Sequence, residues 1–234
     1  MSDRPVCLVT GVGPGTGTAL VRRFHDGGFA VAMLTRSRER LDALEAELPN
    51  AKGYVCDLAD ESAVNAAVAA VNADLGAPEV AIHNAVGGAR GDFLSIDPPV
   101  LERNFQVNVM GLLYLARATA PAMIEAGRGS ILVTGNTAAL RGKDFFAGFA
   151  PTKAAQRILA ESMARTLGPR GVHVAYIVID AVIDLAWTRK AFADAPDDFF
   201  IQPASIAENA WYLHAQDRSA WTFLSELRPF GEKW

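Results

Sequence analysis

The stretch VCLVTGVGPGTGTALVRRFH, residues 6–25, decides the fold. Its first five residues form a short apolar run that ends at a glycine, which is typical of a buried strand. From Thr16 onward the apolar spacing becomes that of a helix. Glycines let the backbone turn with positive φ and approach a ligand closely. A helix that begins at Thr16 directs its N–H groups and the positive end of its dipole at a phosphate.

The order strand, glycine loop, helix predicts a site for the pyrophosphate of a nicotinamide dinucleotide. A tight glycine turn without a ligand is the alternative interpretation. The residues expected to bind the cofactor here are Thr10, Gly11, Gly15, Thr16 and Gly17.

The same alternation of short apolar runs and helical spacing continues along the chain. Strands are predicted at 6–10, 30–35, 53–56, 80–84, 130–134, 173–179 and 221–227, and helices at 16–27, 38–48, 61–75, 100–126, 149–167 and 204–214. Continuous apolar strands between helices indicate a parallel sheet covered on both faces, with right-handed crossovers. We therefore expect an α/β, Rossmann-type doubly wound fold in a single domain, residues 1–234. The segment 184–202 fits neither period, and it is either a cover over the site or a connecting loop.

Composition limits the function classes. The net charge of −4 and the pI near 5.6 give no reason to bind nucleic acid or an anionic membrane. No signal-peptide pattern or continuous membrane-spanning apolar run is present. Cys7 and Cys56 lie in apolar runs and are expected to be buried and reduced. These features favour a cytoplasmic protein, and no metal site is expected.

The ends of the next strands carry polar residues that suit the rest of a dinucleotide. Arg36, with Thr35 and Arg38 beside it, stands where a basic residue pairs with a 2′-phosphate, which favours NADP(H) over NAD(H). A solvated charge run is the alternative, and it is the interpretation given to Glu39 and Arg40. At the next two strand ends, the expected contacts to adenine and ribose are Asp57, Leu58, Asn84 and Ala85.

These motifs resemble the short-chain dehydrogenase/reductase family over nearly the whole chain. The family pattern TGxxxGxG matches residues 10–17, its NNAG is loosely matched by HNAVG at 83–87, and its NVxG matches NVMG at 108–111. The resemblance implies a seven-stranded sheet of order 3-2-1-4-5-6-7, NAD(P)(H), and oxidation or reduction of small-molecule alcohols and carbonyls. It also implies a catalytic set of Asn, Ser, Tyr and Lys.

That catalytic set is incomplete in this chain. Asn108 and Lys153 match, and the resemblance implies that Asn108 fixes a water next to Lys153 and that Lys153 binds the nicotinamide ribose. The tyrosine position holds Phe149 and the serine position holds Asn136. A phenyl ring cannot donate a proton, whereas the Asn136 amide can still donate to an oxyanion. The chain resembles a subgroup with Phe before the retained Lys, also in its closing residues 227–234.

Two residues after the sixth strand are also candidates. Ile183 is expected to pack on the nicotinamide ring. Asp180 stands where the family has Pro, and it is either a proton donor of raised pKa or a residue that binds the backbone of the turn.

Two functions remain open from the sequence. The first is an NADP(H)-dependent oxidoreductase that acts on an activated carbonyl, imine or enone with a non-standard proton donor, water or Asp180. The second is a cofactor-bound protein without hydride transfer, used for non-redox catalysis or for sensing NADP(H). In either case the alanine-rich helices 101–126 and 149–167 suggest a homo-dimer or homo-tetramer, as in the family.

Overall fold

Seven parallel strands form the central sheet. The computed structural model describes residues 4–232, so residues 233 and 234 of the closing segment lie outside the described part. The strands of this sheet are β1 (Val6–Thr10), β2 (Ala30–Thr35), β3 (Ala51–Val55), β4 (Pro78–His83), β5 (Gly129–Asn136), β6 (Val172–Ile179) and β9 (Leu224–Leu227).

The strand order is β3-β2-β1-β4-β5-β6-β9, and every neighbouring pair is parallel. The predicted order is confirmed, with β9 as the seventh strand. The order reverses direction beside β1, between the crossover to β2 and the return to β4. A crevice forms at such a point at the carboxyl ends of the strands, and ligands bind there in open α/β sheets.

Helices cover both faces of this sheet. They are α1 (Thr16–Asp26), α2 (Arg38–Glu47), α3 (Glu61–Asp74), α4 (Pro98–Phe105), α5 (Gly111–Ala126), α6 (Ala150–Leu167), α7 (Ala186–Ala191) and α8 (Pro203–His214). Two apolar cores result, one on each face. The first includes Leu112, Met123 and Tyr176, and the second includes Phe24 and Ile206. The chain thus folds as the predicted single α/β domain.

The helix predicted over 100–126 is divided by one π-helical turn. Residues Gln106–Met110 form this turn between α4 and α5. By length and composition the whole run Pro98–Ala126 is apolar enough to cross a membrane, and 44% of its most apolar window is buried in the protein. A core helix of a soluble protein meets the same criterion. This helix packs against α3, β4 and β5.

The segment 184–202 is structured and fixed at both ends. Strand β7 (Val182–Ile183) pairs with β8 (Phe200–Ile201) in a separate two-stranded sheet, and α7 lies between them. The Arg189 guanidinium donates to both Asp184 carboxylate oxygens, at 2.7 and 2.8 Å, and to Asp197 at 2.5 Å. Gln202 donates to Asp184 at 2.8 Å. This pairing holds the pKa of Asp184 down to about 2, chiefly through Arg189 and then through Gln202.

Both cysteines are buried and free. Burial raises the pKa of the Cys7 thiol well above its usual value and that of Cys56 to about 11. Both therefore remain protonated, and reactivity of either thiol is suppressed.

Candidate active site

A cleft of about 740 Å³ runs along the carboxyl ends of the strands. Most of the residues predicted from the sequence line it: Gly11, Gly15, Thr16, Gly17, Thr35, Arg36, Asp57, Leu58, Asn84, Ala85, Asn136, Phe149, Lys153 and Ile183. Thr10 and Asn108 lie beneath its floor, and Asp180 lies outside it.

The glycine loop is shaped by close backbone approach. Gly11 has φ +65, and a Cβ at this position would overlap the Ala85 backbone. A Cβ at Gly17 would lie 2.6 Å from the Gly11 carbonyl oxygen. A Cβ at Gly15 would overlap the Leu185 side chain, which packs directly on the loop. Gly11 and Gly17 are therefore required by contacts with the backbone of the chain itself, whereas a side chain at Gly15 would displace the flexible Leu185.

Asn84 joins this loop to two strands. Its amide nitrogen donates to the Gly11 carbonyl oxygen at 2.9 Å, and its amide oxygen accepts from the Thr134 hydroxyl at 3.1 Å. Its backbone N–H donates to the buried Thr10 hydroxyl at 3.2 Å, which in turn donates to the Ile82 carbonyl. Thr10 and Asn84 thus hold the glycine loop against β4 and β5. They set its shape from below.

The loop presents unmet donors at the start of α1. No side chain caps this helix at Gly15, so N–H groups of its first turn remain available. The Thr16 hydroxyl is buried beside them and has no hydrogen-bond partner. A buried polar atom without a partner costs free energy, and a phosphate oxygen would satisfy it together with the helix dipole. The residues present therefore fit a dinucleotide pyrophosphate.

The arginines after β2 take different directions. Arg36 is exposed and lines the cleft. Arg38 is bound elsewhere, because its guanidinium donates to Asp42 and Glu45 at 2.8 Å each. Arg40, which the sequence assigned to solvent, also lines the cleft. The two basic side chains that line this end of the cleft are thus Arg36 and Arg40. Arg40 takes the place beside Arg36 that the sequence suggested for Arg38.

Asp57 closes the same end of the cleft. One carboxylate oxygen accepts from the Ala59 N–H at 3.1 Å, and the other pairs with Arg103 at 2.5 Å. Partial desolvation raises the pKa of Asp57, but these two hydrogen bonds and the positive charge of Arg36 outweigh it, so its pKa is lowered. Asp57 is therefore an ionised acceptor at the edge of the cleft, as a contact to an adenine amino group requires.

The opposite end of the cleft holds Phe149 and Lys153. Phe149 precedes the first turn of α6, and Lys153 follows one turn later on the same side. The Lys153 Nζ lies 5.9 Å from the centre of the Phe149 ring. Only 3% of Lys153 is exposed, and this burial lowers its pKa to about 7.

Gln156 anchors Lys153 from behind. The Lys153 Nζ donates to the Gln156 Oε1 at 2.8 Å and to the Thr134 carbonyl oxygen at 3.1 Å. The Gln156 amide nitrogen donates to the Asn108 carbonyl oxygen at 2.7 Å. A side chain therefore joins Lys153 to the Asn108 carbonyl, where the family resemblance implies a water.

Asn108 and its neighbour Asn104 hold loops together. The Asn108 side chain accepts from the Gly87 N–H at 2.9 Å and donates to the Gly87 carbonyl at 2.7 Å and to the Thr152 hydroxyl at 2.8 Å. Asn104 donates to the Gly148 carbonyl at 2.7 Å. Asn104 lies on α4 just before the π-helical turn and Asn108 lies within the turn, and together they fix the loop after β4 against the start of α6.

Asn136 lines the cleft at the end of β5. Its side-chain oxygen accepts from the Ala138 N–H at 3.2 Å and caps a short 3₁₀ turn. That bond fixes the amide orientation. The amide nitrogen is the part of this side chain that remains to donate to a ligand.

Asp180 does not serve the cleft. Its carboxylate pairs with Arg228 at 3.4 Å and with Arg141 at 3.8 Å, and its backbone N–H donates to the Leu227 carbonyl. The proton-donor role hypothesised from the sequence stays a prediction, and this geometry does not favour it, because the carboxylate faces two arginines and the residue is not part of the cleft lining. The alternative of a turn-binding carboxylate also misses these ion pairs.

Several residues of the site were not found from the sequence. Leu185 packs on Gly15, Arg103 pairs with Asp57, and Gln156 binds Lys153. Gln156 carries the one usable signal, since it follows Lys153 by three residues on the predicted helix and so shares its face. Among the described residues, no group of three His, Cys, Asp or Glu side chains is placed to hold a metal.

The fold and this cleft define an α/β protein of the doubly wound class. Residues 5–191 match the family model described as short chain dehydrogenase, and the chain belongs to that family.

Named relatives are similar over most of the chain. It is 32% identical over 230 residues to carbonyl reductase (NADPH) 2 of Sus scrofa, covering 94% of this chain and 92% of that protein. It is 28% identical over 225 residues to L-xylulose reductase of Bos taurus, covering 92% and 90%. A metagenomic short-chain oxidoreductase solved in complex with NADP superposes with a TM-score of 0.83 at 28% identity, covering 96% and 97%.

Proposed function

We propose that this protein is an NADP(H)-dependent reductase of activated small molecules, in which a group other than a tyrosine phenol supplies the proton. The observation that carries the proposal is the pairing of a cleft fitted to a dinucleotide with Phe149 at the position next to Lys153. The reductase names of its relatives and the NADP complex of the metagenomic oxidoreductase support this assignment.

The cofactor would be held along the whole cleft. The first turn of α1 and the Thr16 hydroxyl would bind the pyrophosphate. Arg36 and Arg40 would bind a 2′-phosphate, with Thr35 beside them, and Asp57 with Leu58 would contact adenine. Ile183 would pack on the nicotinamide ring, with Lys153 at its ribose. When bound, the cofactor supplies a hydride to an electrophilic carbon.

The residues around that carbon favour a substrate that is already polarised. Phe149 provides a flat apolar wall without a donor, and the Asn136 amide nitrogen can donate to a developing negative charge. General acid catalysis is typically worth about 10²–10⁴-fold, so an ordinary ketone would react slowly without the phenol. A diketone, an enone or an imine needs less help from an acid.

The segment 184–202 would cover the substrate. Its Leu185 packs on the glycine loop, and Trp187 is 62% exposed on α7. The Asp184–Arg189 pair holds the base of the segment. We further propose a homo-oligomer through α5 and α6, and membership of a subgroup that carries Phe before the retained Lys.

Two measurements test the function in sequence. NADPH and NADH are titrated by the change in bound-nucleotide fluorescence, and we expect tighter binding of NADPH. Oxidation of the bound NADPH is then followed in a single turnover against α-diketones, enones, imines and simple ketones. We expect oxidation with the activated compounds. Tight NADPH binding without oxidation by any compound would instead establish a cofactor-bound protein that transfers no hydride.

A further inference from the structure

We infer that Lys153 is itself the proton donor of the reaction, with Gln156 as the residue that positions it. This inference rests on the proposed reductase function and names the group that replaces the phenol. Two observations support it: the hydrogen bonds of the Lys153 Nζ, and the identity of the side chains that line this end of the cleft.

Lys153 is the one titratable side chain at that end among the described residues. The other titratable residues that line the cleft are Arg36, Arg40, Cys56, Asp57 and Arg103. They follow β2 or β3 or lie on α4, at the opposite end from Phe149. Asp180 is turned away and paired with arginines. A proton supplied by the protein near Phe149 and Asn136 must therefore come from Lys153.

The hydrogen bonds of Lys153 suit a group that gives up one proton. An ammonium has three N–H bonds, and two of them are directed to the Gln156 Oε1 and the Thr134 carbonyl. A neutral amine keeps two N–H bonds and gains one lone pair. Both hydrogen bonds can therefore persist when Lys153 loses its third proton, so the loss leaves neither acceptor unsatisfied.

Gln156 fixes this arrangement because each of its own groups is satisfied. Its oxygen also accepts from the Tyr176 hydroxyl at 3.2 Å, and its nitrogen is 3.3 Å from the His83 Nδ1. With the Asn108 carbonyl as the second acceptor, the amide can be oriented in one way only. Gln156 and His83 are both fully buried. The back of Lys153 is thus closed by protein, and its proton is exchanged through the cleft.

The neighbouring titratable groups keep a fixed charge near neutral pH. Burial lowers the pKa of His83, on β4, to about 3, and the positive charge of Lys153 adds to this effect. Burial raises the pKa of Tyr176, on β6, well above its usual value, against a smaller effect of Arg157 on α6. His83 and Tyr176 therefore stay neutral near pH 7, whereas Lys153 changes its charge there.

The chemical step balances in atoms and electrons. The substrate carbon would take a hydride from bound NADPH, so that one C–H bond breaks on the dihydronicotinamide and one forms on the substrate. The π electrons of the C=O or C=N bond move to the heteroatom, which takes a proton from the Lys153 Nζ. One N–H bond breaks, one O–H or N–H bond forms, and Lys153 is left as a neutral amine beside NADP⁺. Water entering the cleft returns the proton after product release.

The test compares the titration of Lys153 with the pH dependence of the chemical step. Lysine labelled with ¹³C at Cε is incorporated into the full chain, and the Lys153 signal is assigned by its absence in Lys153→Met. In parallel, the enzyme is saturated with NADPH, and a single turnover of its oxidation by butane-2,3-dione is measured between about pH 6 and pH 9. This diketone has no titratable group in that range. We expect a midpoint near pH 7 by NMR, and a rate constant that falls about tenfold per pH unit above the same midpoint.

Gln156→Glu provides the matched variant. A carboxylate beside Lys153 favours the ammonium, so the NMR midpoint and the kinetic midpoint should both move up by at least about one pH unit. Gln156→Met, which lacks the acceptor, should move both midpoints down. NADPH affinity is measured at each pH as the control for folding and for cofactor binding.

The outcomes distinguish a failure of Lys153 as proton donor from a failure of the proposed reductase function. A rate constant that does not change with pH, or that keeps its midpoint while the Lys153 signal moves in Gln156→Glu, would overturn Lys153 as the donor and leave water in that role, with the reductase function intact. Parallel movement of both midpoints supports the inference. Absence of NADPH oxidation by any activated compound would overturn the proposed function and the inference with it.

Discussion

The Lys153 ammonium lies over the Phe149 ring, with 5.9 Å between Nζ and the ring centre. The distance is within the range in which a cation is attracted to an aromatic face. Phe149 therefore stabilises the charged form of a lysine that burial otherwise disfavours.

Restoring a phenol at this position is the first prediction. Phe149→Tyr should raise kcat/KM for a simple ketone such as cyclohexanone by about 10²-fold or more, because a donor returns next to Lys153. Steady-state NADPH oxidation measures the effect. Phe149→Leu is the control and should give no gain. If the Tyr variant is as inert as the parent, the pocket is not arranged for carbonyl chemistry.

Cofactor choice should depend on Arg36 and not on Arg38. Arg36→Asp should weaken NADPH binding by about 10- to 100-fold, since a charge-assisted contact to the 2′-phosphate is lost, and should spare NADH. Arg38→Asp makes the same change of charge two residues away, where the guanidinium already binds Asp42 and Glu45. It should affect both cofactors much less. Equal loss of NADPH and NADH in Arg36→Asp would remove Arg36 from the phosphate site.

Gly11 should not tolerate a side chain. Gly11→Ala places a Cβ on a residue with φ +65 and against the Ala85 backbone. We expect a loss of at least about 2 kcal/mol in the free energy of unfolding, measured by urea denaturation. Gly142→Ala is the matched control, because a Cβ there has open space. Similar stability of the two variants would contradict the described shape of the loop.

Lys153 should make stability depend on pH in a defined direction. Its pKa is about 7 in the folded chain, against an ordinary value of 10.5. Between these values the unfolded chain holds a proton that the folded chain has lost, so folding stability rises with pH through this window. Relative to Lys153→Met, the wild type should therefore gain on the order of a few kcal/mol between about pH 7 and pH 10.

This difference is measured from urea denaturation of both proteins at each pH. Background titrations are shared by the two chains and cancel in the comparison. A difference that stays constant over the window would show that Lys153 keeps an ordinary pKa in the folded protein.

The Asp184–Arg189 pair should control the order of the segment 184–202. Arg189→Met removes the bonds to Asp184 and Asp197, and hydrogen exchange of this segment should accelerate about fivefold or more. Lys190→Met, at the exposed neighbouring position, should leave exchange unchanged. If the segment covers the substrate, Arg189→Met should also raise KM for the diketone without changing the affinity for NADPH. An unchanged KM would mark it as a connecting loop.

The fold could be predicted closely from the sequence because its strands are apolar along their whole length and glycines end the first of them. The seven strands of the sheet and the six helices named in advance are present, with two strands matched at both ends and no end shifted by more than three residues. The short helix α7 was not predicted. Its six residues have no helical period of their own, and bonds from Arg189 to Asp184 and Asp197 hold it in place.

The candidate site could be predicted where a residue's position at the end of a strand is enough to place it in the cleft. It could be predicted less well where the orientation of the side chain decides its role. Arg36 and Asp57 both line the cleft as expected. Arg38 and Asp180 do not, since each pairs with nearby opposite charges. The Arg38–Asp42 pair has the i,i+4 spacing of a helix, whereas spacing gives no sign of the Asp180–Arg228 pair. The spacing of Gln156 from Lys153 was readable from the sequence, but its hydrogen bond to the Asn108 carbonyl depends on the packing of α6 on the π-helical turn.

The π-helical turn at Gln106–Met110 has a consequence for how this chain could tolerate insertions and deletions. Within the turn the Gly111 N–H reaches the Gln106 carbonyl, five residues back. The Asn108 carbonyl is thereby able to accept from Gln156. An α-helix advances about 100° per residue, so removal of one residue from the turn would rotate either Asn104 or the apolar face of α5 out of place. The packing of the core and the position of Lys153 therefore both depend on the extra residue of this turn. A change of chain length here would disrupt the structure more than most substitutions.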